Sequence, residues 1–199
     1  DTLYCIVNLD PNSRESFIRS LKRIKDILKE HIDVFRYRFL LTASNFYSNY
    51  TFFPTAFQEA RMLIPCKCAL SGEGPFLWND FPLPPLTLPK LSLKSECRRA
   101  AETRETKQIF CVIHDLIETH STLFLTDPRL INSFLRQLFD AIWVIASNHT
   151  WLTPDALLIM QKYLVSCSSS LHDLEKNCCQ LIDSILVRLQ KEVDSTNSM

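Results

Sequence analysis

Glycine is almost missing from this chain. Only two occur in 199 residues, Gly72 and Gly74, both inside Ser71-Gly-Glu-Gly-Pro75. Glycine supplies the positive-φ backbone of tight turns and the bare backbone that comes close to a ligand. A phosphate-cradling loop, a dinucleotide fingerprint and a nucleophile elbow each need glycines at fixed offsets, and no such spacing exists. Hairpins lean on glycine too, so a many-stranded β fold is not expected. Charge of either sign is not in excess: Lys plus Arg and Asp plus Glu number 22 each, which removes the footprint of a general nucleic-acid binder. No apolar run approaches the ~20 residues of a membrane span. A signal-peptide pattern and an initiating Met are also missing. The chain opens at Asp1 into the apolar run Leu3-Tyr-Cys-Ile-Val7, as a piece of something longer would.

What remains is apolar and helical in pattern. Hydrophobic residues make up 46% of the chain and include 13 Phe, enough for one sizeable core in one domain or two tightly packed halves. Asp10-Pro11, Asp127-Pro128 and Thr153-Pro154 are helix starts, each a capping side chain followed by proline at the first helical position. Apolar steps of three and four predict helices over Pro11–His31 (Phe17, Ile18, Leu21, Ile24, Leu28, Ile32), Pro128–Ser147, Pro154–Cys167 (Leu157, Leu158, Met160, Tyr163, Leu164) and Leu171–Val193. One further helix is expected over Ser95–His120, and two shorter ones over Val34–Ala43 and Thr55–Ile64, the latter stopped by Pro65. The end from Asp194 to Met199 reads as frayed.

Residues 75–91 differ from the rest. Pro75, Pro82, Pro84, Pro85 and Pro89 favour extended backbone, yet the stretch carries Phe76, Trp78 and Phe81 with five leucines. A flexible linker is polar; this one should lie against its own domain or a partner. The fold class is therefore all-α: an antiparallel helical bundle or an irregular helical-repeat stack, crossed by an extended proline-rich segment. Its organisation reads as an N-terminal helical part (1–74), the proline-rich connection (75–94) and a C-terminal four-helix part (95–199), as one compact unit.

Eight cysteines admit two readings. With the sequons Asn49-Tyr-Thr51 and Asn148-His-Thr150, an even count suits a secreted disulfide protein. Sequons of this kind also arise by chance, and Cys111 falls in an apolar helical stripe where a thiol acts as a small hydrophobe. Reduced cysteines in cytoplasm or nucleus are preferred.

Chemistry is weakly signalled. Cys111-Val-Ile-His114-Asp115 brings a thiol, a base and an acid into one turn, but the middle of an apolar face offers neither cleft nor oxyanion site. Cys66-Lys-Cys68 and Cys178-Cys179 with His172 match zinc-ligand spacing poorly. Neither a catalytic set, a cofactor site nor a metal site is assigned. The first helix has a basic outer face that includes Arg19, Lys22 and Arg23. A second basic run covers Lys90–Lys107 and is broken by Glu96, Glu102 and Glu105. The polar faces lack the interleaved aromatics of single-strand binders. Trp143 reads as core, and Trp151 at a helix–helix corner as an anchor or a plug for the bundle end.

The expectation is a non-enzymatic protein–protein interaction domain, a scaffold or subunit of a larger intracellular complex. Arg19, Lys22, Arg23, Trp78, Phe81 and Trp151 are its candidate contacts. The basic helix would favour an acidic partner, nucleic acid is not expected, and homo- and hetero-oligomers both stay open. The rival is a secreted, disulfide-stabilised helical-bundle ligand of cytokine-like architecture.

Overall fold

The structure, a computed structural model, describes residues 13–31, 40–70, 74–82, 86–103, 105–147, 149 and 151–196. Among them lie seven α-helices: α1 (Arg14–His31), α2 (Phe53–Met62), α3 (Leu93–Thr103), α4 (Lys107–Thr126), α5 (Leu130–Ala146), α6 (Pro154–Cys167) and α7 (Leu171–Thr196). The strands β1 (Thr42–Ala43) and β2 (Phe76–Leu77) have two residues each. The chain is thus all-α, and no helix of the described residues is long and apolar enough to cross a membrane. Asp10-Pro11, Cys5, Ile32, Gly72, Pro84-Pro85, Asn148, Thr150 and the end from Asn197 lie outside the described residues.

The chain divides into two compact units, Asp1–Ile64 with Gly72–Asp80, and Pro65–Ser71 with Phe81–Met199. In the first unit, β1 pairs in parallel with β2, Thr42 opposite Phe76 and Ala43 opposite Leu77. The predicted helix Val34–Ala43 is therefore corrected at its described end, where Thr42 and Ala43 are strand. Gly74 makes this pairing possible. Its φ is +67°, and a Cβ there would stand 3.1 Å from the Leu41 carbonyl oxygen and 2.9 Å from the Phe76 ring. The buried Glu59 of α2 accepts from the Asn45 N–H at 2.8 Å and from the Tyr47 hydroxyl. Burial, then the Glu59 bond, push the Tyr47 hydroxyl up to about 12. α1 packs through Phe17, whose ring meets Phe46 edge-on at 5.8 Å.

The second unit is built around α5. Leu130, Ile131, Phe134, Leu135, Leu138, Ala141, Ile142 and Ala146 are at most 2% exposed, so α5 is apolar over more of its circumference than a surface helix. α3 and α4 lie against it, α4 against α7, and α6 against α7 and α5. α6 keeps the limits its sequence predicts: Pro154 opens it, and the Thr153 hydroxyl caps it by accepting the Ala156 N–H at 3.1 Å.

The helix expected over Ser95–His120 is two helices. The buried stripe of α3 is Leu93, Cys97 and Ala100, whereas that of α4 starts at Ile109 and Ile113. From Ala100 to Ile109 is nine steps of ~100°, about half a turn out of phase. No single helix buries both stripes, so the chain breaks between Thr103 and Lys107. Cys111, two residues from both Ile109 and Ile113, stands about 160° from each around α4 and is exposed. Trp143 is likewise corrected from core to partly exposed surface, and on α6 Leu158 and Tyr163 point outward while Leu164 is buried.

The proline-rich residues of this unit are held by polar side chains. The Leu86 N–H donates to Asp127 Oδ2 at 2.9 Å and the Leu91 N–H to Gln137 Oε1 at 2.8 Å. Gln137 Nε2 donates to the Pro89 carbonyl at 3.2 Å, and the Arg129 guanidinium donates to the Pro82 carbonyl. Proline removes N–H donors from this stretch, so the few groups left for hydrogen bonding are met by three side chains, Asp127 and Arg129 just before α5 and Gln137 within it.

Candidate functional site

Two features of the molecule have the composition of a functional surface. The first belongs to the first unit. α1 buries only Leu21 along 18 residues, and Ile24 and Ile27 are exposed, as are Tyr50, Phe52 and Phe53 at and just before the start of α2. Arg19, Lys22 and Arg23 are all exposed on α1, so the sequence-derived basic face is present as a surface. Tyr50 is 89% exposed, beside the Asn49 side chain, whose Oδ1 accepts the Thr51 N–H at 3.0 Å.

The second feature is an open groove of about 630 Å³ between α4 and α7, lined by Phe110, Cys111, His114, Asp115, Glu175 and Cys179 among others. It holds the one string with a catalytic look, Cys111 and His114. His114 Nδ1 lies 2.9 Å from Glu175 Oε1, and Nε2 lies 3.3 Å from Glu118 Oε2. The Glu175 hydrogen bond, chiefly, raises the imidazole above its ordinary value. A ring with both nitrogens on carboxylates favours the doubly protonated form, which has no lone pair with which to take a thiol proton. The group is a clasp between two helices. Because the folded value is raised, the stability it contributes is present below about 6.5, the unfolded imidazole value. It is lost as pH rises through the higher folded value. The melting temperature of the wild type should therefore fall slightly over that range, and His114→Gln should flatten the profile. Equal slopes for the two proteins would show that the clasp contributes nothing.

The sequence-derived aromatic candidates separate. Trp78 is 8% exposed, folded into the first unit, so it offers a partner almost no surface and is corrected to a core residue. Phe81 is half-buried beneath the Arg129 guanidinium, 5.8 Å from the ring centre. Trp151 is half-buried against the core of the second unit, with Arg188 stacked 4.3 Å from its ring centre. Exposed groups that periodicity assigned to the core, Ile24, Leu158 and Tyr163, take the place of these aromatics as surface.

The seven described cysteines are free thiols. Burial is the main reason Cys68 is pushed up to about 11 and Cys97 to about 12, and it drives Cys66 and Cys178 higher still. Protonated and packed, they act as small hydrophobes. Among the described residues no group of three or more His, Cys, Asp or Glu side chains is placed to hold a metal ion. Alkylation of the native protein should modify Cys111 and Cys167 first and reach Cys66, Cys68, Cys97 and Cys178 only after unfolding. Peptide mapping that finds Cys178 labelled in the native state would contradict this packing.

Compared with protein-family models, curated proteins and solved structures, the chain matches none.

Proposed function

We propose that the chain is a non-enzymatic protein–protein interaction domain, a scaffold or subunit of a larger intracellular complex, which takes an acidic partner on its first unit. The observation that carries this reading is an imbalance of burial. Among the described residues of that unit, Leu21, Leu63 and Trp78 are the buried large hydrophobic side chains, whereas Ile24, Ile27, Tyr50, Phe52, Phe53 and Met62 are exposed. Exposed apolar groups of this density mark interaction sites, and aromatics with arginine are the residue types that anchor them. Arg19, Lys22 and Arg23, on the helix that carries Ile24 and Ile27, would steer an acidic surface and set register.

The second unit we read as an antiparallel bundle, not a repeat stack. α4 ends at Thr126 and α5 begins at Leu130, and α6 ends at Cys167 and α7 begins at Leu171. Connections this short make consecutive helices antiparallel neighbours. An enzymatic reading loses support from His114, the nearest candidate base to Cys111, because two carboxylates already occupy it.

Affinity purification of the full chain from the cells that make it tests the proposal. Wild type should recover a stoichiometric partner whose retention weakens with salt, and Lys22→Glu with Arg23→Glu should lose it. Equal recovery by wild type and variant, or no partner with either, would sink the reading. The secreted alternative keeps one observation, the exposure of Asn49, Tyr50 and Thr51 around a sequon. A mass shift of the native protein on enzymatic deglycosylation would favour it.

A further inference from the structure

The outward face of α6 is apolar without a structural reason. Its inward face buries Leu164 and packs Leu157, Met160 and Val165 against the core. Its outward face carries Leu158, Ile159 at 66% exposure and Tyr163 at 70%. Leu158 and Ile159 are not among the side chains packed on the core, and the Tyr163 hydroxyl pairs with Cys167 one turn on within α6.

The charges on the same face say what would cover it. Asp155 and Lys162 are exposed, and neither makes an ion pair within the chain among the described residues. At ~100° and ~1.5 Å per residue, seven steps place them within about 20° of each other around the helix and about 10 Å apart along it. They therefore mark one line down the outward face. Leu158 and Ile159 sit midway between them, one on each side of that line at about 50°.

This arrangement is self-complementary. A two-fold axis through the midpoint of Leu158 and Ile159, relating two antiparallel copies of α6, sets Asp155 against the partner's Lys162. By the same operation it sets Lys162 against the partner's Asp155. Leu158 falls opposite the partner's Leu158 on one side of the line and Ile159 opposite the partner's Ile159 on the other, so four aliphatic side chains close around the axis. The result is an isologous contact, in which one patch serves both subunits, with an apolar centre and charge pairs at its rim. A parallel pairing would put Asp155 on its own copy and is disfavoured by charge.

We propose that the chain self-associates as a two-fold dimer through the outward face of α6. A contact made by one four-turn helix from each copy is small, so the dimer is weak and forms by mass action as concentration rises. It goes beyond the proposed function, since it rests on a different helix in the other unit and stands whether or not α1 takes a partner.

Sedimentation equilibrium of the full chain over a wide concentration range tests this. The wild type should rise from the 23.1 kDa monomer toward twice that mass. Lys162→Asp places two aspartates together at each end and should weaken association by about 10-fold or more. Adding Asp155→Lys to it restores opposite charges in reversed order and should bring the affinity back to within about 3-fold of wild type. Ile159→Asp should leave only monomer. These side chains are exposed, so the far-UV spectrum of each variant should match wild type, and a variant that fails this check is replaced by Asp155→Lys alone, for which the same weakening is expected. A wild type that stays monomeric throughout overturns the proposal. So does a charge-swapped double variant as weak as the single one, because that result places the contact on another face or in another register. Neither outcome touches the reading of α1, which the affinity purification decides separately.

Discussion

Replacing Asp127 by Ala is expected to lower the unfolding free energy of the second unit by about 3–5 kcal/mol, the range for breaking one partner of a buried ion pair. The side chains of Arg129 and Asp127 are 3% and 0% exposed. Arg129 Nε lies 2.6 Å from Asp127 Oδ1, and its terminal nitrogen lies 2.8 Å from Oδ2. The same carboxylate accepts the Arg129 N–H at 3.2 Å and the Leu86 N–H at 2.9 Å. Removing it leaves a guanidinium charge in a site that water does not reach, and frees the extended segment at Leu86. Denaturant titration read by Trp143 and Trp151 fluorescence measures the loss. Substituting Arg129 by Met in the same chain should recover part of it, because the uncompensated charge goes with it.

The pair also sets a response to acid. Burial alone would push the Asp127 carboxyl up. The Arg129 hydrogen bond, the Leu86 N–H and the guanidinium charge outweigh that and hold it below the usual carboxylate range. A lowered folded value contributes stability that is present above the unfolded value, about 3.9, and is lost as pH falls through the lower folded value. Wild type should therefore weaken on acidification below about pH 4, and Asp127→Ala should lack that part of the decline. A loss below about 1 kcal/mol at neutral pH, the range of an exposed pair, would mean that the two groups are solvated and the segment is held by other means.

Phe134→Ala is the second large effect, about 3–5 kcal/mol for deleting a buried aromatic ring and leaving its cavity. Phe134 and Phe124 are both fully buried, with ring centres 6.2 Å apart, so the loss includes a ring–ring contact between α5 and α4. Trp143→Ala on the same helix is the internal contrast. That indole is 37% exposed, and its removal should cost well under half as much despite its larger size. Thermal and denaturant unfolding monitored by circular dichroism separate the two. Equal costs would contradict the orientation of α5.

Which parts of this fold were legible in the sequence follows from the range of the interactions that make them. α6 is set by its own residues: Thr153 and Pro154 open it and an unbroken apolar period carries it, so its limits could be read directly. The break between α3 and α4 was also written locally, as a half-turn phase shift between Ala100 and Ile109, but charged residues in between conceal it from a search for periodicity alone. The pairing of Thr42 with Phe76 could not be read, because two-residue strands have no pattern and their partners are far apart in sequence. Gly74 was visible as unusual, though its purpose appears only once Leu41 and Phe76 are beside it.

The candidate surfaces show the same limit more sharply. Periodicity finds apolar residues on a helix but does not say which of them meet the core. On α6, Leu157, Met160 and Leu164 face inward while Leu158 and Tyr163 face out, though all five fit one loose stripe. On α1, Ile24 fits the stripe of Leu21 and is exposed. Aromatic identity was a poor guide to surface for Trp78, which the first unit buries, whereas charge was a fair guide for Arg19, Lys22 and Arg23, which it keeps in solvent.

The native mass of the protein in extracts of the cells that make it tests the interaction role most directly. Migration in a discrete assembly heavier than a 23.1 kDa monomer or its dimer is expected, with Ile24→Ser and Ile27→Ser together releasing the chain to the monomer–dimer position. A wild type already at that position, indistinguishable from the variant, would contradict it.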